Sequence, residues 1–127
     1  MESNLISPCG MNCNLCRAHL REKGKCVGCR GSNENKPDSR VRCLIKNCEI
    51  LNENNWKYCS VKCETFPCTS LKKLDKRYRT KHGMSMVENL RFIEDNGIRK
   101  FIENEKNRWI KGNEIFCVHD KKYYNLE

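Results

Sequence analysis

The chain has 127 residues, 11 of them cysteine, and a formal net charge of +9. Only 38% of residues are hydrophobic and 32% are charged, so a chain this small needs disulfides, metals or a partner to supplement a weak core. No stretch approaches the ~20 apolar residues that span a bilayer, which argues against a membrane-spanning segment.

The opening MESNLISPCG has no basic stretch followed by an apolar run. No signal peptide is expected, and the expected location is cytoplasmic. A cytoplasmic chain keeps its thiols reduced. There, paired CxxC spacings and an odd cysteine count point to metal ligation before disulfides.

Residues 9 to 68 hold ten cysteines: Cys9, Cys13, Cys16, Cys26, Cys29, Cys43, Cys48, Cys59, Cys63 and Cys68. Two CxxC pairs stand out, CNLC (Cys13, Cys16) and CVGC (Cys26, Cys29). Two intervening residues let both sulfurs turn onto one ion, and Gly28 suits a tight knuckle. Zinc takes four soft ligands in a tetrahedron, with Zn–S near ~2.3 Å. Cys43 and Cys48 (CLIKNC) and Cys59 and Cys63 (CSVKC) are the available closers. One arrangement places Cys26, Cys29, Cys43 and Cys48 on one zinc, with Cys13 and Cys16 meeting partners among Cys59, Cys63 and Cys68 on another. Cross-brace arrangements are equally allowed. The stretch from 31 to 40 (GSNENKPDSR) reads as an exposed loop. No long helical or strand period runs through residues 1–68, so short turns are expected there, with metal replacing the core.

Residues 69–127 form the second segment. Leu71, Leu74 and Tyr78 recur at helical spacing. Ser85 and Glu88 then form a capping-box pattern. Val87, Leu90 and Ile93 share one face of the helix that follows, and Gly97 is placed to end it. Ile98, Phe101, Ile102 and Trp109 predict a further helix, with Glu103, Glu105 and Lys106 facing solvent. The expected core is Leu71, Leu74, Leu90, Ile93, Ile98, Phe101, Ile102 and Trp109. The tail GNEIFCVHDKKYYNLE predicts a short strand or hairpin.

Ten clustered cysteines exceed two four-ligand sites by two. Two zinc ions are expected, or three if Cys117 and His119 add ligands. The simpler expectation is that Cys117 is a buried thiol, His119 a surface or hydrogen-bonded imidazole, and His19 and His82 solvent-facing. The spacing of Cys9, Cys13 and Cys16 also matches the three-cysteine motif that holds a [4Fe–4S] cluster in radical S-adenosylmethionine enzymes. That chemistry sits in barrel folds of about 200 residues or more, and this chain has no βα alternation. A simple iron–sulfur electron carrier is the remaining cofactor alternative, although the ferredoxin run ending in Cys-Pro is absent.

No HExxH, P-loop, GxGxxG or nucleophile elbow occurs. All-cysteine ligand sets predict closed structural sites rather than catalytic ones. Cys68 opens a helix, where a free thiol would be activated, but a ligand role is the simpler expectation. Lys72, Lys73, Lys76, Arg77, Arg79 and Lys81 surround one acid, Asp75. They form either a solvated helix face or a phosphate-binding strip for nucleic acid, RNA in particular. The charge itself is weaker evidence than it looks. Two zinc ions with four thiolates each would bring the formal +9 down to about +5.

CGMNCNLC, CVGCRG, the Cys-x4-Cys pair, CETFPC and the segment from LDKRYRTKHG to NEKNRW together resemble the cysteine-rich prokaryotic family catalogued as domain of unknown function 3795. The resemblance runs over nearly the whole chain. It implies zinc binding and supplies no reaction. Related chains often continue past Arg-Trp with a zinc ribbon. Here only Cys117 remains there, with Lys111, Tyr123 and Tyr124 where ribbon cysteines would be expected, so the ribbon looks degenerate.

The expected fold is therefore small, metal-bound and mainly α. An irregular zinc-knuckle half over residues 1–68 packs on two or three helices of a helical extension over residues 69–127, as one unit. The expected function is a structural or binding module with no assigned partner or substrate.

Overall fold

The computed structural model describes residues 1–32, 36, 41, 43–60 and 62–126. The chain is small and mainly helical, with one small sheet. The N-terminal half carries two 3-10 turns, η1 (Ser3–Leu5) and η2 (Cys13–Leu15), and two short helices, α1 (Arg17–Leu20) and α2 (Glu49–Glu53). Three longer helices follow: α3 (Thr69–His82), α4 (Met86–Asn96) and α5 (Ile98–Trp109). None of the described helices is long and apolar enough to cross a membrane.

The start of α4 follows local chemistry. Ser85 Oγ accepts the Glu88 N–H at 3.1 Å, as an N-cap serine should. The same hydroxyl donates to Asp75 Oδ1 at 2.6 Å, and Val87 N–H donates to that oxygen at 3.1 Å. Asp75 was expected on the solvated strip of α3. It is instead buried, because it caps the next helix from the side. Helix α3 ends at Gly83 in the left-handed region (φ 63°), where glycine carries no Cβ penalty. Gly97 (φ 87°) divides α4 from α5.

The tail forms an antiparallel meander, β1 (Ile110–Lys111), β2 (Glu114–Cys117) and β3 (Lys122–Asn125), in the order β1-β2-β3. Ile110 pairs with Ile115, and Phe116 with Tyr123.

Of the expected core, Leu71, Leu90, Ile93, Phe101 and Ile102 are buried, while Leu74, Ile98 and Trp109 are only partly so. Residues on both sides of position 68 share the interior. Met11, Leu15 and Ile45 join Leu71, Tyr78, Met84, Met86 and Leu90 in one cluster, and Ile6 joins Phe101 and Ile102 in another. The N-terminal half thus has more of an apolar anchor than its periodicity suggested. Its few aliphatic side chains share these two clusters with residues of the helices. Glu105, expected to face solvent, is also interior. Its carboxylate accepts from Trp109 Nε1 at 3.0 Å and from Asn12 Nδ2 at 3.4 Å.

Gly10 marks a close approach of the two halves. Its φ is +88°, and a Cβ there would lie 2.9 Å from the Met86 carbonyl oxygen. Asn89 Nδ2 donates to the Gly10 carbonyl at 2.9 Å. The loop carrying the first cysteines is thereby fastened to the start of α4.

Candidate metal centre

The ten N-terminal cysteines fall into two groups. The first surrounds a small cavity of about 20 Å³, lined by Cys9, Cys13, Cys16, Cys26, Cys29 and Cys43 together with His19 and Lys36. Local backbone chemistry builds it. Asn12 Oδ1 accepts the Asn14 N–H at 3.1 Å and so nucleates the turn η2 that begins at Cys13. Cys26 N–H donates to the Ala18 carbonyl at 2.8 Å, which ties the second knuckle back to α1. Gly28 adopts φ +88°, and a Cβ there would come within 2.9 Å of Leu5 Cδ2.

Cys13 faces Cys29. The Cys29 thiol, with burial second, holds the Cys13 thiol well above its ordinary range, and the Ser7 hydroxyl, 3.0 Å from Cys13 Sγ, pulls the other way. Two adjacent thiols resist ionising together. His19 Nδ1 lies 2.8 Å from the Cys26 carbonyl oxygen. A carbonyl only accepts, so Nδ1 carries the proton and Nε2 the lone pair. Lys36 is buried with its Nζ donating to the Gly31 carbonyl at 2.9 Å. Burial lowers its pKa, and the Cys29 and Cys26 thiols act in the opposite sense. Most of the stretch expected to be an exposed loop, 31–40, lies outside the described residues, but Lys36 within it is an interior cation beside the thiols.

The second group gathers around Cys59. Burial, followed by the neighbouring thiols of Cys68, Cys63 and Cys48, pushes the Cys59 thiol up to about 11. Helix α2 and the reversal at Asn55 (φ 54°) return the chain after Cys48, with Trp56 N–H bonded to the Leu51 carbonyl at 3.0 Å. Cys59 N–H donates to the Pro8 carbonyl at 2.8 Å, which sets this group beside the first. Cys68 stands immediately before α3 as its N-cap residue and makes no side-chain cap bond.

Spacing allowed several pairings, and Cys48 is among the thiols acting on Cys59. Cys13 meets Cys29 instead of the later cysteines. Cys16 is tied to the tail through its neighbours, Val118 N–H donating to the Leu15 carbonyl at 3.2 Å and Arg17 N–H to His119 Nδ1 at 3.3 Å. His82, expected in solvent, is half-buried, with Nδ1 3.0 Å from the Val118 carbonyl oxygen. His119 is half-buried between the Arg17 N–H and the Tyr78 hydroxyl.

Among the described residues, no three His, Cys, Asp or Glu side chains converge as placed into a set that could hold an ion. The donor chemistry nevertheless fits a soft divalent ion. In each group the neighbouring thiols help to raise the pKa of one member, Cys13 or Cys59, and a dication would favour the thiolate forms.

The six basic residues of α3 are all exposed. Lys72, Lys76 and Arg79 line a groove of about 470 Å³ beside Asp75, Ser85 and Glu88. Lys73, Arg77 and Lys81 form a separate row at i, i+4 spacing. Arg79 Nε is already paired with Asp75 Oδ2 at 2.7 Å, so it contributes less free charge than the sequence count implies.

No family model matches the chain, and comparison with curated proteins and with solved structures finds no similar protein.

Proposed function

We propose that the chain is a zinc-binding structural or binding module in which thiolate–metal clusters cross-link the N-terminal half. The observation that carries this is the sorting of ten cysteines into two spatial groups. Six thiols line one small cavity, and three more crowd Cys59. In this proposal Cys9, Cys13, Cys26 and Cys29 hold one zinc, and Cys48, Cys59, Cys63 and Cys68 hold another. When bound, zinc supplies cross-linking and charge neutralisation. The protein's residues supply the rest: Ser7 and Lys36 support the thiolates of the first group, and Cys59 is anchored through Pro8. The proposal extends to membership of the domain of unknown function 3795 family, on the motifs quoted above, and to a cytoplasmic location.

Metal analysis of anaerobically purified protein tests it. A colourless protein with zinc in both thiol groups is expected. Brown colour with visible absorption would assign the first group to a [4Fe–4S] cluster instead. A folded, metal-free chain with its thiols joined as disulfides would overturn the proposal.

A second reading rests on the exposure of all six cations of α3. A zinc-supported fold presenting Lys72, Lys73, Lys76, Arg77 and Lys81 suits phosphate contact with RNA, and such binding weakens steeply with salt. Heparin retention that disappears when Lys72, Lys73, Lys76 and Arg77 are neutralised would support it. Unchanged retention would remove it.

A further inference from the structure

The turn after β2 carries a thiol that the two groups above do not use. Cys117 is fully buried. Its Sγ accepts the Asp120 N–H at 3.4 Å, and the His119 N–H also bonds to it. Burial raises its pKa, and against burial the two backbone N–H donors that point at this one sulfur favour its thiolate. The segment Leu15-Cys16-Arg17 runs alongside this turn. Val118 N–H donates to the Leu15 carbonyl at 3.2 Å, and Arg17 N–H donates to His119 Nδ1 at 3.3 Å. Both neighbours of Cys16 are thus fastened to the turn, which sets Cys16 beside it.

A histidine adjoins the same turn. His82 Nδ1 lies 3.0 Å from the Val118 carbonyl oxygen. Nδ1 therefore carries a proton, and in the neutral ring the lone pair is on Nε2. A backbone carbonyl holding the remote ring N–H is how proteins orient a metal-ligating imidazole. His119 packs edge-on against His82 at 4.9 Å, but its nitrogens are engaged by Arg17 and by Tyr78 Oη at 3.0 Å.

We propose that Cys16, Cys117 and His82 bind a third zinc ion where α3, η2 and the turn after β2 meet. The inference rests on the zinc reading of the two thiol groups and adds a centre of different composition. Two thiolates and one neutral imidazole leave the bound ion with no net charge, which suits a buried position better than four thiolates would. Three protein ligands leave one coordination position to water or another small ligand. The ligands do not converge as placed, so closure turns the two sulfurs about χ1. The centre would join the first cysteine loop to the tail.

The test is the zinc count of the full chain, purified anaerobically with reductant, by elemental analysis and native mass spectrometry. Three zinc ions per chain are expected. Cys117→Ser, close in shape, should hold two. His82→Gln should weaken the most weakly held ion at least about tenfold in competition with a chromophoric chelator, and it carries the test if the cysteine variant does not fold. Two ions in both wild type and Cys117→Ser would overturn this centre and leave the zinc reading standing. Loss of a third ion in Cys43→Ser but not in Cys117→Ser would also overturn it, by assigning that ion to the six-thiol cavity. A chain without zinc would overturn the zinc reading itself, and this centre with it.

Discussion

Asn12 Nδ2 donates to Glu105 Oε1 at 3.4 Å, a buried bond between residues 93 positions apart. It joins the first cysteine loop to the last helix. The other carboxylate oxygen takes the Trp109 indole N–H at 3.0 Å. Burial raises the Glu105 pKa, and the Asn12 and Trp109 bonds with the Arg108 charge offset it only in part.

A pH signature follows from that carboxyl. Because its folded pKa is raised, the native state binds more protons than the unfolded chain just above the ordinary glutamate range near ~4.3. Its contribution is greatest below the unfolded pKa and is lost as pH rises through the folded one. Denaturant unfolding of wild type and Glu105→Gln, compared at each pH, should show the variant gaining on wild type as pH rises through that window. A constant difference at every pH would refute the raised pKa. Glu105→Ala leaves Asn12 and Trp109 without their acceptor and should lower stability by about 1–3 kcal/mol.

Asp75 behaves oppositely. Burial opposes its ionisation, but the Ser85 hydroxyl, the Val87 N–H and Arg79 outweigh burial and hold the pKa below its usual value. Its stabilisation is present above the unfolded pKa near ~3.9 and fades as pH falls through the lower folded value. Asp75→Ala should cost about 2 kcal/mol at neutral pH, through loss of the lateral cap on α4 and the ion pair. A double-mutant cycle with Ser85→Ala should show coupling between the two. Strict additivity would mean that the 2.6 Å bond between them carries little.

Gly10→Ala tests the docking of the first loop on α4. The position needs φ +88°, and the new methyl would meet the Met86 carbonyl oxygen at 2.9 Å. A loss of about 2 kcal/mol or more is expected in thermal or denaturant unfolding. Gly83→Ala, where nothing lies within 4 Å, should cost less, since only backbone strain remains.

Metal removal should separate the two thiol groups. If the two thiol groups hold zinc as proposed, Cys13→Ser and Cys59→Ser should each lower the zinc count by one and lower the melting temperature, because the binding energy would then be folding energy. A chelator strong enough to strip both groups should abolish cooperative unfolding of the N-terminal half. An unchanged melting curve after complete stripping would show that the apolar anchors Ile6, Met11 and Leu15 suffice alone.

Much of the helical half was legible in the sequence. Leu71, Leu90, Ile93, Phe101 and Ile102 announce themselves through helical spacing, and Ser85 and Gly97 mark boundaries that the backbone respects. Periodicity failed at Asp75 and Glu105. Both are charged residues that local pattern assigns to solvent, and their partners Ser85 and Asn12 bring them inside. It failed also at Lys36 and His82. One falls in a stretch that reads as a loop and the other in a basic linker, yet the fold places them beside thiols and beside the turn after β2. Only a tertiary contact distinguishes such residues from surface ones.

The sequence by itself determined the number of sulfurs, their confinement almost wholly to residues 9 to 68, and the three helices, because composition and helical period are local properties. Which thiols meet was decided by the tertiary structure. Cys13 finds Cys29, Cys59 is tied to Pro8 beside the first loop, and both neighbours of Cys16 bond to the turn after Cys117. Spacing limits only what close neighbours can share. Long-range partners depend on how α2 reverses the chain, how Gly10 docks on α4, and where the tail meander comes to rest.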